Sequence, residues 1–275
     1  MSRIEKVFKV LKAKKEGALI GYVTAGDPKP KTTPIIADAL IEGGVDILEL
    51  GIPFSDPIAD GPTIQAASLR ALNAGTTPIQ VLEIAKEIRK KHETPIVILT
   101  YYNPIFKMGI KSFFSLLRKY EIDGVVVPDL PVEEADYYHR IARDNSIDTI
   151  FLATPSTSES RLLKIIKFSS GFLYLVSQFG VTGTRDVLQQ STIKLIKKVL
   201  PKTNNLIPLA VGFGISKPEH AKLVFQSGSD GVIVGSAFVK IIKENQQDME
   251  IMLKKICKFT RELKDCSENQ IIILI

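Results

Sequence analysis

The chain has 275 residues, of which 45% are hydrophobic and 24% are charged, and its formal net charge is +6 at pH 7. Its apolar runs have the length of strands and fall far short of the ~20 residues that a membrane-spanning helix requires. The basic residues are spread over several predicted helices, whereas a nucleic-acid-binding protein is expected to concentrate them in a stripe. The two cysteines and three histidines show no metal-ligand spacing. We therefore expect a cytoplasmic protein without a metal, whose charge suits a small anionic substrate.

The alternation of apolar and amphipathic stretches predicts the order of helices and strands. Ile4, Phe8 and Leu11 recur with helical spacing, so a helix over about residues 1–15 is expected to pack on the body of the protein. Short runs rich in β-branched residues predict strands over 19–24, 46–50, 96–100, 124–127, 149–153, 172–176, 207–211 and 231–234. The stretches between them predict helices over 31–42, 78–90, 110–120, 133–145, 159–168, 191–200, 218–227 and 246–264.

Eight strand–helix units in a chain of this length are typical of an α/β fold of the (β/α)8 TIM-barrel type, here with an extra N-terminal helix. No linker or change in composition divides the chain, so we expect one domain over residues 1–275, with a tail of uncertain structure over about 266–275. A doubly wound open sheet is the alternative. It is less favoured, because no Gly-x-Gly-x-x-Gly follows the first predicted strand.

Glu49 stands near the end of the second predicted strand and Asp60 in the loop after it, and no Lys or Arg occurs from Val45 to Leu69. Side chains alternate along a strand, so the apolar Leu48 and Leu50 are expected to face the helices and Glu49 the mouth of the barrel. An acid in apolar surroundings keeps its neutral form to higher pH, which suits a general acid or base. The alternative is that Glu49 is a structural acid paired with a hidden cation.

Glycines at two neighbouring strand ends predict a phosphate site. Gly212 and Gly214 follow the seventh predicted strand, and Gly235 and Ser236 follow the eighth, where barrels of this type commonly bind phosphate. Backbone N–H groups of glycines, with a helix N-terminus behind them, attract an anion. The segment 177–190, which contains Gly183, is long for a strand–helix connection and is either a lid or an ordinary surface loop. The Pro-rich acidic loop over 53–62 suits either a substrate or a partner protein.

At these residues the sequence resembles the tryptophan synthase alpha subunit family, over nearly the whole chain. The most specific match is LELGIPFSDPIADGPTIQ at residues 48–65. Further matches are YVTAGDP at 22–28, VPDLP at 127–131, GVTG at 180–183, GFGIS at 212–216 and Gly235-Ser236. The resemblance implies a lyase that cleaves indole-3-glycerol phosphate to indole and glyceraldehyde 3-phosphate, which is a retro-aldol reaction.

The resemblance also assigns roles to individual residues. Glu49 matches the catalytic acid and base, Asp60 the carboxylate that accepts the indole N–H, and Tyr174 a tyrosine that lines the site. The phosphate-binding positions that it implies are Gly183, Gly214, Gly235 and Ser236. The indole pocket that it implies consists of Tyr22, Leu99, Val126 and Leu152. Asp56, Pro57 and Asn103 match positions that face a partner protein.

That partner is the tryptophan synthase beta subunit, which uses pyridoxal phosphate to join indole to serine in an alpha2beta2 heterotetramer. The resemblance therefore implies no cofactor in this chain. Departures from the family pattern are Gln178 and Phe179 in the long loop, Tyr22 in place of a common Phe, and the residues from 268 to the C-terminus. None of them changes Glu49 or Asp60.

Three other functions are alternatives to the lyase activity that the resemblance implies. Another phosphosugar barrel would share the glycine loops, but an indole-glycerol-phosphate synthase needs a Lys at a strand end, and none of the eight predicted strand ends supplies it. A barrel that only binds and activates a partner has no need of Glu49, Asp60 and Tyr174. A lyase that releases free indole without a partner is not distinguished by the sequence.

Overall fold

The computed structural model of the chain describes residues 1–176, 185–203, 206–212 and 214–268, with residues 185–189 described by their backbone alone. Within these ranges the chain forms a barrel of parallel strands surrounded by helices, as predicted. The strands are β1 (Ala18–Thr24), β2 (Ile47–Gly51), β3 (Ile96–Leu99), β4 (Gly124–Val126), β5 (Asp148–Ile150), β6 (Leu152–Ala153), β7 (Leu173–Val176), β8 (Leu209–Gly212) and β9 (Gly231–Val234).

The strand order explains why eight predicted strands become nine in the described residues. The order is β5-β4-β3-β2-β1-β9-β8-β7-β6, so the two ends of the sheet are β5 and β6. These two strands are consecutive in the chain and are separated only by Phe151, which packs outward against Tyr138 and Phe168. The predicted strand over 149–153 is therefore one barrel segment with a break at Phe151, and eight segments surround the interior.

The helices lie outside the strands, and three of them were not predicted. The described helices are α1 (Arg3–Lys14), α2 (Thr33–Glu42), α3 (Pro62–Asn73), α4 (Pro78–Arg89), α5 (Tyr102–Met108), α6 (Ile110–Lys119), α7 (Asp136–Asp144), α8 (Glu159–Phe168), α9 (Arg185–Thr203), α10 (Pro218–Gln226), α11 (Ser236–Glu244) and α12 (Met249–Asp265). The three are α3, α5 and α11, and for α11 the sequence indicates only a helix N-terminus behind Gly235 and Ser236, without bounds. Helices α5 and α11 begin shortly after the ends of predicted strands, and α3 begins inside the motif at residues 48–65.

The long loop predicted over 177–190 is wrong in its last part, because α9 begins at Arg185. Residues 177–184, and with them the lid prediction and the departures at Gln178 and Phe179, lie outside the described residues. The same holds for the C-terminal tail beyond residue 268. None of the helices in the described ranges has both the length and the apolar composition that crossing a membrane requires.

The apolar side chains form an outer layer between strands and helices and an inner layer inside the barrel. Leu48 and Leu50 belong to the outer layer, whereas Ile47 belongs to the inner one, as the alternation along β2 predicts. Helix α1 contributes to the inner layer through Ile4, Phe8 and Leu11. The Phe8 ring lies 5.9 Å from that of Phe172, which directly precedes β7. The extra N-terminal helix therefore closes the end of the barrel at which the strands begin.

Candidate active site

Glu49 lies on the inward face of β2, next to Tyr22 of β1 in the strand register. The side chain is fully buried, and neither carboxyl oxygen has a hydrogen-bond partner in the described part of the chain. Burial raises the pKa of Glu49 to about 8, with a smaller contribution from the negative charge of Asp60. Among the described side chains no cation counteracts this shift in pKa, so the described part of the structure gives no support for the alternative of a hidden ion pair.

Asp60 lies at the end of the acidic loop, just before α3 begins at Pro62. Its backbone N–H donates to the carbonyl of Pro57 at 3.0 Å, and its own carbonyl accepts from the Gln65 side chain at 2.8 Å. Burial raises the pKa of the Asp60 carboxyl to about 6, and a hydrogen bond from Tyr101 opposes the rise. The two acids of the site therefore differ in acidity, since Glu49 is buried more completely than Asp60.

Three tyrosines surround the two carboxyl groups. Burial raises the pKa of Tyr22 far above its ordinary value, and the charge of Asp60 adds more to this rise than that of Glu49. The pKa of Tyr174 is raised far above its ordinary value as well, but there Glu49 adds more than Asp60. The pKa of Tyr101 is also raised by burial and then by Asp60. The Tyr101 hydroxyl accepts from the backbone N–H of Ala59 at 3.0 Å, which ties the acidic loop to the end of β3.

Glycines make room for two of these rings. A Cβ at Gly51 would overlap the Tyr22 ring, with Cε2 only 2.8 Å away. A Cβ at Gly212 would lie 2.7 Å from both Cε1 and the hydroxyl oxygen of Tyr174. Real Cβ atoms essentially never approach a heavy atom that closely, so neither ring could keep its place beside an alanine. Gly51 and Gly212 end β2 and β8, and their role here is to leave space for the tyrosines.

The predicted phosphate site lies at the ends of β8 and β9. Ser236 is the first residue of α11, so the free N–H groups of that helix face the barrel mouth beside Gly235. Gly214 has a φ of +74°, a conformation that favours glycine, and its carbonyl lies 3.2 Å from Nδ1 of His220. The structure thus brings Gly214, Gly235 and Ser236 to one end of the barrel. Gly183 lies outside the described residues.

The residues predicted for the indole pocket are assembled in the barrel interior. Val126 is fully buried in the inner layer, and the half-buried Leu152 packs against it. Leu99 contacts this layer and also the small cluster that contains Tyr22. These side chains give the two carboxyl groups an apolar surrounding.

The residues predicted to face a partner lie on the outer surface of the same barrel end. Asp56 and Asn103 are exposed, and Pro57 is half-buried. Asn103 belongs to α5. The first residue of this helix is Tyr102, and its backbone N–H donates to Oδ1 of Asp129 at 2.9 Å. Two large apolar side chains are exposed close by in sequence, namely Ile58 at 82% and Phe106 at 69%.

The contacts of Tyr101, Thr24 and the pair Asp27–Arg70 are not predicted by the sequence. Thr24 belongs to the motif at residues 22–28 and Tyr101 directly follows the predicted strand over 96–100, which is the signal that the sequence offers for them. Asp27 is buried in the loop after β1 and accepts two hydrogen bonds of 2.7 Å from Arg70 of α3. This pair fixes helix α3, which begins two residues after Asp60. No group of three potential metal-ligating side chains occurs in the described ranges.

Comparison with known proteins identifies the family. The family model described as tryptophan synthase alpha chain matches residues 8–268. A tryptophan synthase alpha chain of Solibacter usitatus is 47% identical over 268 residues, which cover 96% of this chain and 97% of that protein. One of Methanoregula boonei is 46% identical over 270 residues, covering 98% and 100% of the two chains. The chain belongs to the tryptophan synthase alpha chain family.

Solved structures of this family agree with the fold. The crystal structure of the tryptophan synthase alpha chain of Legionella pneumophila superposes with a TM-score of 0.86 at 35% identity, covering 97% of each chain. Tryptophan synthase alpha chains are lyases that cleave indole-3-glycerol phosphate, and their indole passes to a beta subunit. The resemblance found in the sequence is thereby confirmed for fold, family and activity.

Proposed function

We propose that Glu49 and Asp60 divide the proton chemistry of indole-3-glycerol phosphate cleavage between them. The observation that carries this proposal is the difference in burial: Glu49 is fully buried with no hydrogen-bond partner among the described residues, whereas Asp60 is half-buried, which raises their pKa values to about 8 and about 6. At pH 7 the first group is largely protonated and the second largely ionised. Two acids whose environments separate their pKa values can act as a proton donor and an anionic stabiliser in one site.

The chemistry follows from this division. Glu49 gives its proton to C3 of the indole ring, and Asp60 accepts the indole N–H and stabilises the positive charge that develops there. The ionised Glu49 then takes the proton of the adjacent side-chain hydroxyl. The bond between C3 and the side-chain carbon breaks, its electrons neutralise the ring, and indole and glyceraldehyde 3-phosphate form. Glu49 ends the cycle protonated, as it began.

The remaining residues hold the substrate. Ser236, Gly235 and Gly214, together with Gly183, bind the phosphate through backbone N–H groups and the Ser236 hydroxyl. Tyr22, Leu99, Val126 and Leu152 enclose the indole ring, and Tyr174 packs beside Glu49. Because Ser236, Gly235 and Gly214 lie at the same barrel end as the two acids, a substrate across the mouth contacts both, and exclusion of water strengthens the electrostatic effects of the acids.

We also propose the assembly that this family implies, an alpha2beta2 heterotetramer in the cytoplasm with pyridoxal phosphate held by the beta subunit. The exposed face with Asp56, Pro57 and Asn103 supports this assembly, since Ile58 and Phe106 place apolar area beside its polar residues. Large exposed apolar side chains with a polar rim are typical of protein interfaces.

The test of the catalytic proposal is indole release by Glu49→Gln and Asp60→Asn variants of the purified chain. Glu49→Gln is expected to lose about 10²–10⁴-fold in kcat, the usual contribution of a general acid or base, while affinity for glycerol phosphate stays near that of the wild type. Asp60→Asn is expected to lose mainly kcat.

The matched control is Asp148→Asn. Asp148 lies at the opposite end of the barrel, and burial raises its pKa as it does for the two acids of the site. Wild-type turnover by Glu49→Gln would show that the assignment is wrong.

A further inference from the structure

The loop between β8 and α10 carries Gly214, one of the residues proposed to bind phosphate. Strand β8 ends at Gly212, and α10 begins at Pro218. Within this loop Ile215 is buried in the outer apolar layer, with 4% of its surface exposed, whereas Gly214 and Ser216 on either side of it are exposed. The turn over residues 214–216 is thus anchored in the core at its middle residue, while the backbone on both sides of Ile215 lies at the surface.

The imidazole ring of His220 contacts both sides of this turn. Its Nδ1 lies 3.2 Å from the carbonyl oxygen of Gly214 and 3.4 Å from the backbone nitrogen of Ser216. Within the described residues, neither that carbonyl nor that N–H group makes a hydrogen bond to any other part of the protein. His220 is therefore the group through which α10 holds the backbone of the turn.

The ring is placed for this contact by its position in the helix. His220 is the third residue of α10, and helical side chains point back towards the N-terminus of their helix, which here is the side of the loop. The half-buried ring also borders a small cavity between α9 and α10, which is lined by Thr192 and Ile196 of α9 and by Leu223 of α10. The imidazole is thus held between two helices and gives the turn a fixed support.

A single nitrogen serves the two contacts in different tautomers of the ring. With a hydrogen on Nδ1 the imidazole donates to the Gly214 carbonyl, and without it Nδ1 accepts from the Ser216 N–H group. We assign the hydrogen to Nδ1, because the contact with Gly214 is the shorter of the two. Because the peptide group is planar, a fixed carbonyl also fixes the plane of the peptide group that follows Gly214.

We infer that His220 is a positioning residue for the phosphate site, where its Nδ1 holds Gly214 in the conformation that receives the phosphate group of the substrate. The inference rests on the phosphate-binding role proposed above for Gly214. Glycine has more backbone freedom than any other residue, and at Gly214 the φ of +74° is only one of the values open to it. A hydrogen bond that restricts this freedom before the ligand arrives reduces the entropy lost on binding and so raises the affinity.

Three substitutions of His220 in the full chain test this role. Asparagine places a polar side-chain atom where Nδ1 of histidine lies, whereas glutamine places it one carbon further out. His220→Ala is expected to weaken the binding of glycerol phosphate about three- to tenfold, as the loss of one hydrogen bond predicts. KM for indole-3-glycerol phosphate is expected to rise in parallel, while kcat stays within about twofold of the wild type. His220→Asn is expected to restore most of the affinity and His220→Gln little of it.

Two comparisons separate positioning from a general loss of structure. The affinity for indole, which has no phosphate group, is expected to be the same in the wild type and in the three variants. His139→Ala is the matched control, because His139 is also half-buried and its Nδ1 lies 3.0 Å from Oγ1 of Thr149, in a contact between α7 and β5. Wild-type affinity for glycerol phosphate in His220→Ala, equal affinities of His220→Asn and His220→Gln, or a parallel loss of indole binding would overturn the inference.

A separate variant tests the phosphate site itself. Ser236→Asp places a negative charge in the first turn of α11, where an acidic side chain suits the helix, and is expected to abolish detectable binding of glycerol phosphate. Wild-type affinity in Ser236→Asp would show that the proposed phosphate site is wrong. Loss of binding in Ser236→Asp together with wild-type affinity in His220→Ala would reject the role of His220 and leave the site intact.

Discussion

Tyr174 occupies the space that a side chain at Gly212 would need, since a Cβ there would lie 2.7 Å from its hydroxyl oxygen. The two residues belong to the neighbouring strands β7 and β8. Gly212→Ala is therefore expected to displace the Tyr174 ring from Glu49 and to lower kcat for indole release by at least about tenfold, at a stability loss of about 1–3 kcal/mol. Gly61→Ala is the control, because a Cβ at Gly61 meets nothing within 4 Å and its φ of −76° suits alanine. Equal activities of the two variants would contradict this prediction.

Glu49 makes the stability of the protein depend on pH. Its pKa rises from 4.5 to about 8 on folding, so between these values the folded chain binds more protons than the unfolded chain. The contribution of Glu49 to stability is therefore fully present below about pH 4.5 and is lost as the pH rises towards 8.

Glu49→Gln removes this dependence. Relative to the wild type, the free energy of unfolding of the variant is expected to increase by up to about 1.4 kcal/mol per pH unit between pH 4.5 and pH 8. Urea unfolding at several pH values measures the difference. A difference that stays constant with pH would show that Glu49 is ionised in the folded chain.

The ion pair Asp27–Arg70 is expected to support both the fold and the position of Asp60. Burial raises the pKa of Asp27 even though Arg70 lowers it, so the carboxylate depends on its partner to remain charged. Arg70→Met is expected to cost about 3 kcal/mol in the free energy of unfolding at pH 7. At pH 4 the loss is expected to be smaller, because Asp27 then takes up a proton. Lys240→Met, which removes an exposed pair of 3.8 Å with Glu244, is expected to change stability by less than about 0.5 kcal/mol.

Phe106 offers a test of the partner surface. Phe106→Asp is expected to weaken binding to a tryptophan synthase beta subunit by at least about tenfold, while indole release by the isolated chain stays unchanged. Leu206→Asp is the matched control. Leu206 is similarly exposed, at 74%, but it precedes β8 and so lies at the opposite end of the barrel. Titration calorimetry with the beta subunit compares the two, and equal affinities would exclude Phe106 from the interface.

The fold was predictable because its signals are local. Strand β9 was predicted to the residue, and the inward direction of Glu49 followed from the alternation along β2. Helix α3 was missed although Gly61 and Pro62 form an ordinary helix start, because the Pro-rich run before it was interpreted as one long loop. The break at Phe151 was not predictable, since it arises where pairing passes from β4 to β7.

The sequence predicted residues of the candidate site but not their contacts. The resemblance named Glu49, Asp60 and Tyr174, which lie near one another in the structure, and their catalytic roles stay predictions. Contacts between distant segments, such as Tyr101 with Ala59 or Arg70 with Asp27, leave no periodic pattern in the sequence from which they could be predicted. The roles of Gly51 and Gly212 are not predictable from the sequence either. Their lack of a side chain matters only because the ring of a tyrosine from a neighbouring strand packs against each of them.

Helix α1 packs across the end of the barrel at which the strands begin. Ile4, Phe8 and Leu11 fill the end where the strands begin, so that end of the barrel is packed with apolar side chains. Indole released beside Glu49, as proposed above, would leave through the mouth, which is also the side that carries Asp56 and Asn103. A protein seated on that rim would cover the exit and receive the product before water does. The N-terminal helix, remote from the proposed catalytic residues, would thus set the direction in which indole leaves the proposed site.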